Sequence, residues 1–303
     1  MSNIIDLSKL PAPQVLEDVD FENLLAARKE KFIALWDAEE QDKWRTRLQY
    51  ESEPVVKLLQ ENCFLELLLR NRINAAAKAV MLAYATGNDL DQLGALFGVS
   101  RLIVRAADPK AQPPITEEKE SDSRFRERIQ KSLEGISTAG SRASYEYHAL
   151  TASAEVKGVT IDSPTAGNVR VTILSSNGQG TADSQLIETV TAALNAETVR
   201  PLTDTVQVQS AQIVPYQIAA VLTLYPSVLE STVLANVNAK VNEYAAKQHA
   251  LGLDITLSGI YAALHQEGVQ NVTLTAPSEK IVITPQQAAY CTAINLTIGG
   301  RDE

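Results

Sequence analysis

Cysteine is scarce in this 303-residue chain, which contains only Cys63 and Cys291, each in an apolar stretch. Two distant cysteines do not indicate a disulfide framework, and we expect both thiols to be reduced and buried. Long hydrophobic runs are also missing, since nowhere do about 18 uncharged apolar residues occur together, as a membrane-spanning helix requires. The first residues show no basic segment followed by an apolar one. We therefore expect a soluble protein that is made in the cytoplasm.

Positive charge is in deficit, because 27 Lys and Arg residues face 37 Asp and Glu residues and give a net charge of −10. Nonspecific affinity for nucleic acid comes mostly from Lys and Arg that neutralise phosphates. A large nucleic-acid surface is therefore not expected. The remaining composition, with 45% hydrophobic and 21% charged residues, is typical of a folded globular protein. The length suits about two domains.

Motifs of catalysis and of metal or cofactor binding are also lacking. His148, His249 and His265 fall in helical patterns, and none has a second His, Cys or carboxylate at a metal-ligand spacing. Residues 176–180 read SNGQG, without the Lys-Ser/Thr of a phosphate-binding P-loop. No GxSxG nucleophile motif occurs. We predict that the protein is not an enzyme and binds neither cofactor nor metal.

The N-terminal third is predicted to be helical. Residues 1–16 read as an extended arm, and residues 17–107 as a helical, bundle-forming region. An amphipathic pattern covers residues 17–50, and Pro54 suits the first turn of a second helix. That helix is predicted to run to Gly87, and roughly thirty residues at 1.5 Å each would make a rod of about 45 to 50 Å.

Leucine nearly encircles the first half of this rod. A helix that is apolar on all sides is usually buried on all sides, and one neighbouring helix can hardly cover it. We therefore predict helices from other chains around it, although a bundle closed within this chain is the alternative. The leucines expected to line the bundle are Leu58, Leu59, Leu65, Leu68 and Leu69.

A second, short helix is predicted after the rod. Gly87 suits the left-handed position that ends a helix, and Asn88 or Asp89 could cap the next one. Gly98 is a candidate for a second left-handed stop. Leu90, Leu93 and Phe97 fall on one face of the short helix and are expected to pack it onto the rod.

A helix-turn-helix DNA-binding motif is the alternative interpretation of residues 89–107. The segment has the outline of a helix, a glycine turn and a helix that opens with Ser100 and Arg101. Its second helix would however present Leu102, Ile103 and Val104 where base recognition needs polar groups. The net charge also disfavours this alternative.

The remainder of the chain changes from helical to mixed patterns. Proline and charge mark residues 108–122 as a linker or loop, and 123–154 as a helical connector with a cap at Thr138 or Ser141. Residues 155–212 and 213–303 then alternate strands with helices. In the first of these ranges we predict a hairpin around the turn at residues 163–167 and then a helix capped by Asp183 or Ser184. The residues expected on the buried face of that helix are Leu186, Val190 and Leu194. We predict an α+β protein with two small C-terminal α+β domains and mostly antiparallel sheets.

One turn in the first of these domains is predicted at Pro201. Arg200 and Asp204 flank it, and they are expected to pair locally.

Four segments in a consistent order and spacing give the chain a resemblance to a known family. They are residues 85–101 (ATGNDLDQLGALFGVSR), 122–129 (DSRFRERI), 138–145 (TAGSRASY) and 199–204 (VRPLTD). With them the chain resembles the baseplate J-like family, wedge proteins of contractile phage tails and related injection machines. The resemblance covers roughly residues 58–223.

The resemblance implies a structural role in the virion, in the inner wedge of the tail baseplate. Two copies would pair through long N-terminal helices that bundle with another wedge protein. C-terminal domains would join neighbouring wedges into a ring around the tail tube, a ring that holds as the baseplate opens and the sheath contracts. The proline-rich residues 108–115 would serve as a hinge. We also expect the protein to assemble in the host bacterial cytoplasm and to have neither nucleic acid nor a membrane as a partner.

Overall fold

The computed structural model describes residues 5–137 and 139–303, which form two compact units, one up to Ser100 and one from Arg101 onward. The architecture is α+β, as predicted: helices make up the first unit, and the sheets lie in the second. None of the helices in the described ranges combines the length and apolarity needed to cross a membrane. The predicted arm begins outside the described residues and contains a short 3-10 turn, Leu7–Lys9.

Two helices, rather than one continuous stretch, occupy residues 17–50. Helix α1 spans Phe21–Ile33 and is capped by Asp20, whose carboxylate accepts a 2.8 Å hydrogen bond from the amide of Asn23. Helix α2 spans Ala38–Arg47. Aromatic residues meet at the corner between the helices, where the centres of the Trp36 and Trp44 rings lie 4.8 Å apart.

Helix α3 is the predicted rod, but it is shorter than the sequence suggested. It begins at Pro54, as expected, and ends at Ala79, so its 26 residues span about 39 Å. A turn that buries Ala85 follows, closed by a 2.8 Å bond from the amide of Ala85 to the carbonyl of Met81. The prediction that the rod runs to Gly87 was therefore wrong, because tertiary burial of the turn outweighs the helix-forming composition of residues 80–86.

Gly87 begins helix α4, Gly87–Leu96, instead of ending the rod. Its φ of +53° is left-handed, as predicted, but the residue at the N-cap is Thr86 and not Asn88 or Asp89. Gly98 is the left-handed stop that was predicted, with a φ of +69°. The amides of Gly98 and Val99 bond back to Ala95 and Gly94 at 3.1 and 3.0 Å, the pattern of a Schellman motif.

The second unit opens with a β-hairpin. Strand β1, Ile103–Arg105, pairs antiparallel with β2, Glu118–Lys119, and an isolated bridge joins Asp108 to Ile115 near the tip. The helix-turn-helix alternative is wrong, because it requires a helix where β1 lies. A hinge at residues 108–115 is likewise unsupported, since the two ends of the segment bond to each other and the chain returns to its starting point.

Two helices follow the hairpin. Helix α5 spans Asp122–Lys131, is capped by Ser121, and continues as a 3-10 turn, Ser132–Ile136. Helix α6, Arg142–Ala152, is capped by Ser141, whose hydroxyl accepts the amide of Ser144 at 3.1 Å. Thr138, the alternative cap, lies outside the described residues.

A three-stranded sheet then forms the central domain. Strands β3, Val156–Thr165, and β4, Asn168–Ser175, make the predicted hairpin, and β5, Thr205–Ser210, adds parallel to β4. Helix α7, Ser184–Leu194, covers the sheet after an N-cap at Asp183. Its buried residues are the predicted Leu186, Val190 and Leu194.

The C-terminal domain holds a second three-stranded sheet in the order β7-β6-β8. Strand β6 is antiparallel to β7 and parallel to β8, so three of the five strand pairs in the described chain are antiparallel. Helices α8 and α9 pack on one face around buried valines of α8. The element bounds are β6 Gln212–Leu224, α8 Glu230–Gln248, α9 Leu257–Leu264, β7 Val269–Ala276 and β8 Gln287–Arg301.

A single buried residue, Ala211, separates β5 from β6 and joins the two sheet domains. It clusters with Leu174 of the central sheet and Ala288 of the C-terminal sheet. The hydroxyl of Thr160 donates a 2.6 Å bond to the carbonyl of Pro285 across the same junction. The two sheet domains are therefore docked on each other within the second unit.

Candidate assembly surfaces

The outer face of α3 is apolar and open to solvent. Four of the five leucines predicted to line a bundle lie on it, and each is at least half exposed. Ile73 extends the same face toward the end of the helix. Burying a fully exposed leucine stabilises by about 1.5 to 3 kcal/mol, so covering the exposed half of each of these side chains would contribute roughly half of that. The exposed fractions are 60% for Leu58, 52% for Leu65, 50% for Leu68 and 63% for Leu69.

The inner face of α3 packs on the chain itself. Leu59, the fifth predicted bundle residue, is partly buried against a small core of Ile33, Leu48 and Val56. Cys63 on this face is fully buried and free, and burial raises the pKa of its thiol. The leucines thus divide between a closed inner face and an open outer face.

Ion pairs seal the inner face of α3 onto α1. The guanidinium of Arg28 bonds the carboxylate of Glu66, and Arg70 donates to the same carboxylate at 2.9 Å. Hydrogen bonding from Arg28 and then Arg70 lowers the pKa of Glu66. Arg70 also donates to the carboxylate of Glu17 at 2.7 Å, and the side-chain amide of Asn74 donates to the carbonyl of Glu17 at 2.8 Å.

The face predicted to pack α4 onto the rod is only partly buried. Leu90 is fully buried and Leu93 is partly buried, but Phe97 is 45% exposed and Leu96 is 79% exposed. Burial of Leu90 does not say which element it packs on, so packing of Leu90 and Leu93 onto α3 stays a prediction. Packing by Phe97 stays a prediction, and in this chain its ring contributes to exposed apolar surface.

A buried ionic junction fixes the base of the β-hairpin. The carboxylate of Glu120, at the end of β2, is fully buried and bonds the guanidinium groups of Arg124 and Arg128. It also accepts the amide of Leu102 at 2.9 Å, so both strands meet at this side chain. Arg101 bonds Asp122 at 2.8 Å, and its guanidinium lies 4.7 Å from the centre of the Phe125 ring.

Arg124 connects this junction to the end of α6 and to the first strand of the central sheet. One of its nitrogens donates to the carbonyls of Leu150, Ser153 and Val156 at 2.8, 2.8 and 3.1 Å. These carbonyls end α6 and begin β3, so the charge also suits the negative end of the helix. Arg124 belongs to the segment 122–129 that carries the resemblance, but the sequence does not indicate its role, because its partners lie 26 to 32 positions away.

The turn at Pro201 meets the start of α6. The phenol of Tyr145, fully buried, donates a 2.8 Å bond to the carboxylate of Asp204. Burial and that carboxylate raise the pKa of Tyr145. Arg200 donates at 2.7 Å to the carbonyl of Asp204, so the two residues do pair locally, but through the backbone and not as an ion pair.

Gly140 leaves room for this contact. Its φ is +71°, and a Cβ there would lie 2.7 Å from Pro201 and 2.9 Å from the carboxylate of Asp204. The last two segments that carried the resemblance therefore come together in space. The first two also meet, through Arg101 and Phe125, at the hairpin base.

The histidines occupy structural positions. His148 lies within α6, and its Nε2 lies 3.2 Å from the carbonyl of Gly135, while burial lowers its pKa. His249 and His265 stand at the C-terminal ends of α8 and α9 rather than within them. Throughout residues 5–137 and 139–303, no three His, Cys, Asp or Glu side chains are grouped to hold a metal.

Comparison with known proteins identifies the family. Models of the baseplate J-like N-terminal, central and C-terminal domains match residues 51–108, 137–210 and 216–297 in that order. The chain belongs to the baseplate J-like family. Baseplate protein J of Escherichia phage P2 is 47% identical over 300 residues, covering 99% of both chains.

A solved structure also resembles this baseplate J-like chain. A chain of the anti-feeding prophage baseplate, determined by cryo-EM with 6-fold symmetry applied, matches 60% of this chain and 43% of its own length. The TM-score is 0.44 and the sequence identity is 10%. Membership of the family supports a structural role in a phage tail baseplate, in contact with other baseplate proteins.

Proposed function

We propose that this chain is a structural protein of the inner baseplate wedge of a contractile phage tail. Two copies pair within each wedge, and the outer face of α3 bundles with the second copy and with another wedge protein. The observation that carries the proposal is the half-exposed leucine face of α3. A 26-residue helix with that face in water lacks the partners that an apolar helix surface needs.

The C-terminal domains join neighbouring wedges into a ring around the tail tube in this proposal. Their support is the compact second unit, in which the central and C-terminal sheets are docked through Ala211 and the contacts around it. The ring persists while the baseplate opens and the sheath contracts.

The protein assembles in the host bacterial cytoplasm and acts in the virion without catalysis. Its partners are proteins, and neither nucleic acid nor a membrane takes part. The similarity to baseplate protein J of phage P2 and the match to the baseplate J-like family favour this role over an enzymatic one.

Native mass spectrometry of complexes captured by a tagged copy, from cells that produce the particle, tests the proposal. We expect a discrete complex with two copies of this chain and at least one other tail protein. A captured chain that is always monomeric, or that carries no other tail protein, would reject the wedge assignment.

A further inference from the structure

The outer face of α3 carries one acidic and one basic side chain among its leucines. Eleven residues, or about three turns, separate Glu61 from Arg72, so both project from the side of the helix on which Leu65 lies. Both are exposed, and neither forms an ion pair or a side-chain hydrogen bond within the described ranges. The face therefore offers one charge of each sign to a partner.

The two charges lie at equal distances from the two ends of α3. Glu61 is seven residues from Pro54, the first residue, and Arg72 is seven residues from Ala79, the last. At 1.5 Å per residue, each charge is about 10 Å from its end of the helix. When the ends of the helix are exchanged, each charge therefore takes the level of the other.

The apolar residues of the face follow the same symmetry. Leu58 is four residues from the start of α3, and Ala76, which is also exposed, is three residues from its end. About five turns separate the two, so they lie on the same side of the helix. Leu65 and Leu69 are likewise placed on either side of the middle of α3. Exchange of the ends thus brings apolar positions to the level of apolar positions.

These positions distinguish the two possible directions of a pair of α3 helices. In a parallel pair, Glu61 lies level with Glu61 of the second copy and Arg72 with Arg72, so like charges meet at two levels. In an antiparallel pair about a two-fold axis, Glu61 of each copy lies level with Arg72 of the other, and the contact occurs twice. Charged residues beside the apolar seam of paired helices set the choice of partner and its orientation. The face is thus its own complement only when the second copy runs antiparallel.

We propose that two copies pack the outer faces of α3 against each other antiparallel, with Glu61 of each copy bound to Arg72 of the other. The occupant of the face is a second copy of this chain, selected by the opposite charges that each copy supplies to the other. The proposal rests on the proposed wedge, in which two copies pair through this face. It adds the direction of the pair and the contact that fixes it.

The antiparallel pair also leaves a place for the helix of another wedge protein. Phe64 and Leu68 lie on one flank of the outer face, and both are at least half exposed. The two-fold axis keeps this flank of both copies on the same side of the pair. The two side chains of each copy then line a groove on that side, which suits the apolar face of an amphipathic helix.

Charge reversal tests the contact. Glu61→Arg places an arginine beside Arg72 of the second copy at both ends of the pair, and Arg72→Glu places two glutamates together in the same way. We expect each variant alone to reduce the captured two-copy complex about tenfold or more, as measured by native mass spectrometry at low salt, where charges are least screened. The chain with both substitutions restores the opposite charges and is expected to pair like the wild type. In a parallel pair, each substitution would only replace one like-charge contact by another.

Lys78→Glu is the matched control, because it reverses an exposed charge of the same helix outside the outer face. Lys78 is four residues after Asn74, whose side chain bonds Glu17, so the two share the side of α3 that faces its own chain. We expect this variant to leave the amount of two-copy complex unchanged.

Cross-linking reads the direction of the pair. Copies with Leu58→Cys and copies with Ala76→Cys, differently tagged and coexpressed, are treated with a short bismaleimide. We expect links between the two kinds of copy and none between two Leu58→Cys copies, because those positions are about 25 Å apart in the antiparallel pair. The wild-type chain gives the background from Cys291, since Cys63 is fully buried.

Links between two Leu58→Cys copies would overturn the antiparallel contact while leaving the two-copy wedge in place. Single reversals that pair as well as the combined variant would overturn it too, as would two-copy complexes that give no links at all. A wild-type chain that is captured only as a monomer would instead reject the wedge assignment.

Discussion

Helices α3 and α8 are the two longest in the described chain, at 26 and 19 residues. They differ in how much of their apolar surface is covered by the rest of the chain. Helix α8 buries Val233, Val237 and Val241 against its own sheet and turns charge to solvent, as in the pair of Lys240 and Glu243. Helix α3 buries one side and leaves leucines half exposed on the other. The apolar side of α8 is thus covered within its own domain, whereas the outer face of α3 is the surface for which we propose a partner.

The largest effect on stability is expected at α8. Val237→Asp places a charge at a fully buried position, where no partner can pair with it. The cost is several kcal/mol, which is comparable to the whole stability of a typical domain, about 5 to 15 kcal/mol. Urea unfolding followed by circular dichroism should show the C-terminal domain unfolded or nearly so. Ala239→Asp, at an exposed position on the same helix, should change little.

The second largest loss of stability is expected at the ionic junction of Glu120, Arg124 and Arg128 at the base of the hairpin. Glu120→Gln removes the charge that pairs with Arg124 and Arg128 in a buried site, and we expect a loss of about 3 to 5 kcal/mol. Glu117→Gln breaks only an exposed pair with Lys119 and should cost less than about 1 kcal/mol. Equal unfolding midpoints in urea for the two variants would contradict a structural role for the junction.

A smaller loss is expected at Gly140. Gly140→Ala adds a Cβ that would clash with Pro201 and Asp204, in addition to the strain of a left-handed φ. Gly178→Ala has a similar φ of +57° but open space around it, so it isolates the strain. We expect the Gly140 variant to be less stable than the Gly178 variant by about 1 to 3 kcal/mol in thermal unfolding. Equal stabilities of the Gly140 and Gly178 variants would mean that the Pro201 turn shifts to accommodate the added methyl group without a measurable cost in stability.

Tyr145→Phe should have the smallest effect of the four, about 1.5 kcal/mol, through loss of the bond to Asp204. The pKa of Tyr145 is raised in the folded state above its ordinary value near 10. The stabilisation of the folded state by the bond between Tyr145 and Asp204 is therefore complete below pH 10. It is lost as the pH rises through the higher pKa that Tyr145 has in the folded state. Urea denaturation at pH 7, 9 and 10.5 gives the free energy of unfolding of the wild type and of Tyr145→Phe. The difference between the two proteins should be the same at pH 7 and 9 and smaller at pH 10.5. A difference that grows with pH would contradict this sign.

Local signals in the sequence were enough for many elements. The caps at Ser141 and Asp183, the left-handed stop at Gly98 and the buried face of α7 all follow from short-range chemistry, and the structure agrees. Where the outcome depends on distant residues, the sequence was insufficient. The end of α3 at Ala79 depends on burial of a turn, which composition does not reveal.

The candidate surfaces divide in the same way. Periodicity located the leucines of α3, but it could not separate inward Leu59 from outward Leu58, since that depends on where α1 packs. The hairpin was missed because its strands are two and three residues long. The burial of Glu120 depends on arginines supplied by another element, so no pattern around it indicates a junction.

One measurement tests the contrast between the two helices most directly. Leu68→Asp, on the open face of α3, and Ala239→Asp, on the solvent face of α8, are each measured for thermal stability and for capture of a second copy and other tail proteins. We predict that both variants unfold within about 0.5 kcal/mol of the wild type, and that only Leu68→Asp loses its partners. A Leu68→Asp chain that still assembles, or that unfolds on its own, would contradict the claim that α3 is completed by other chains.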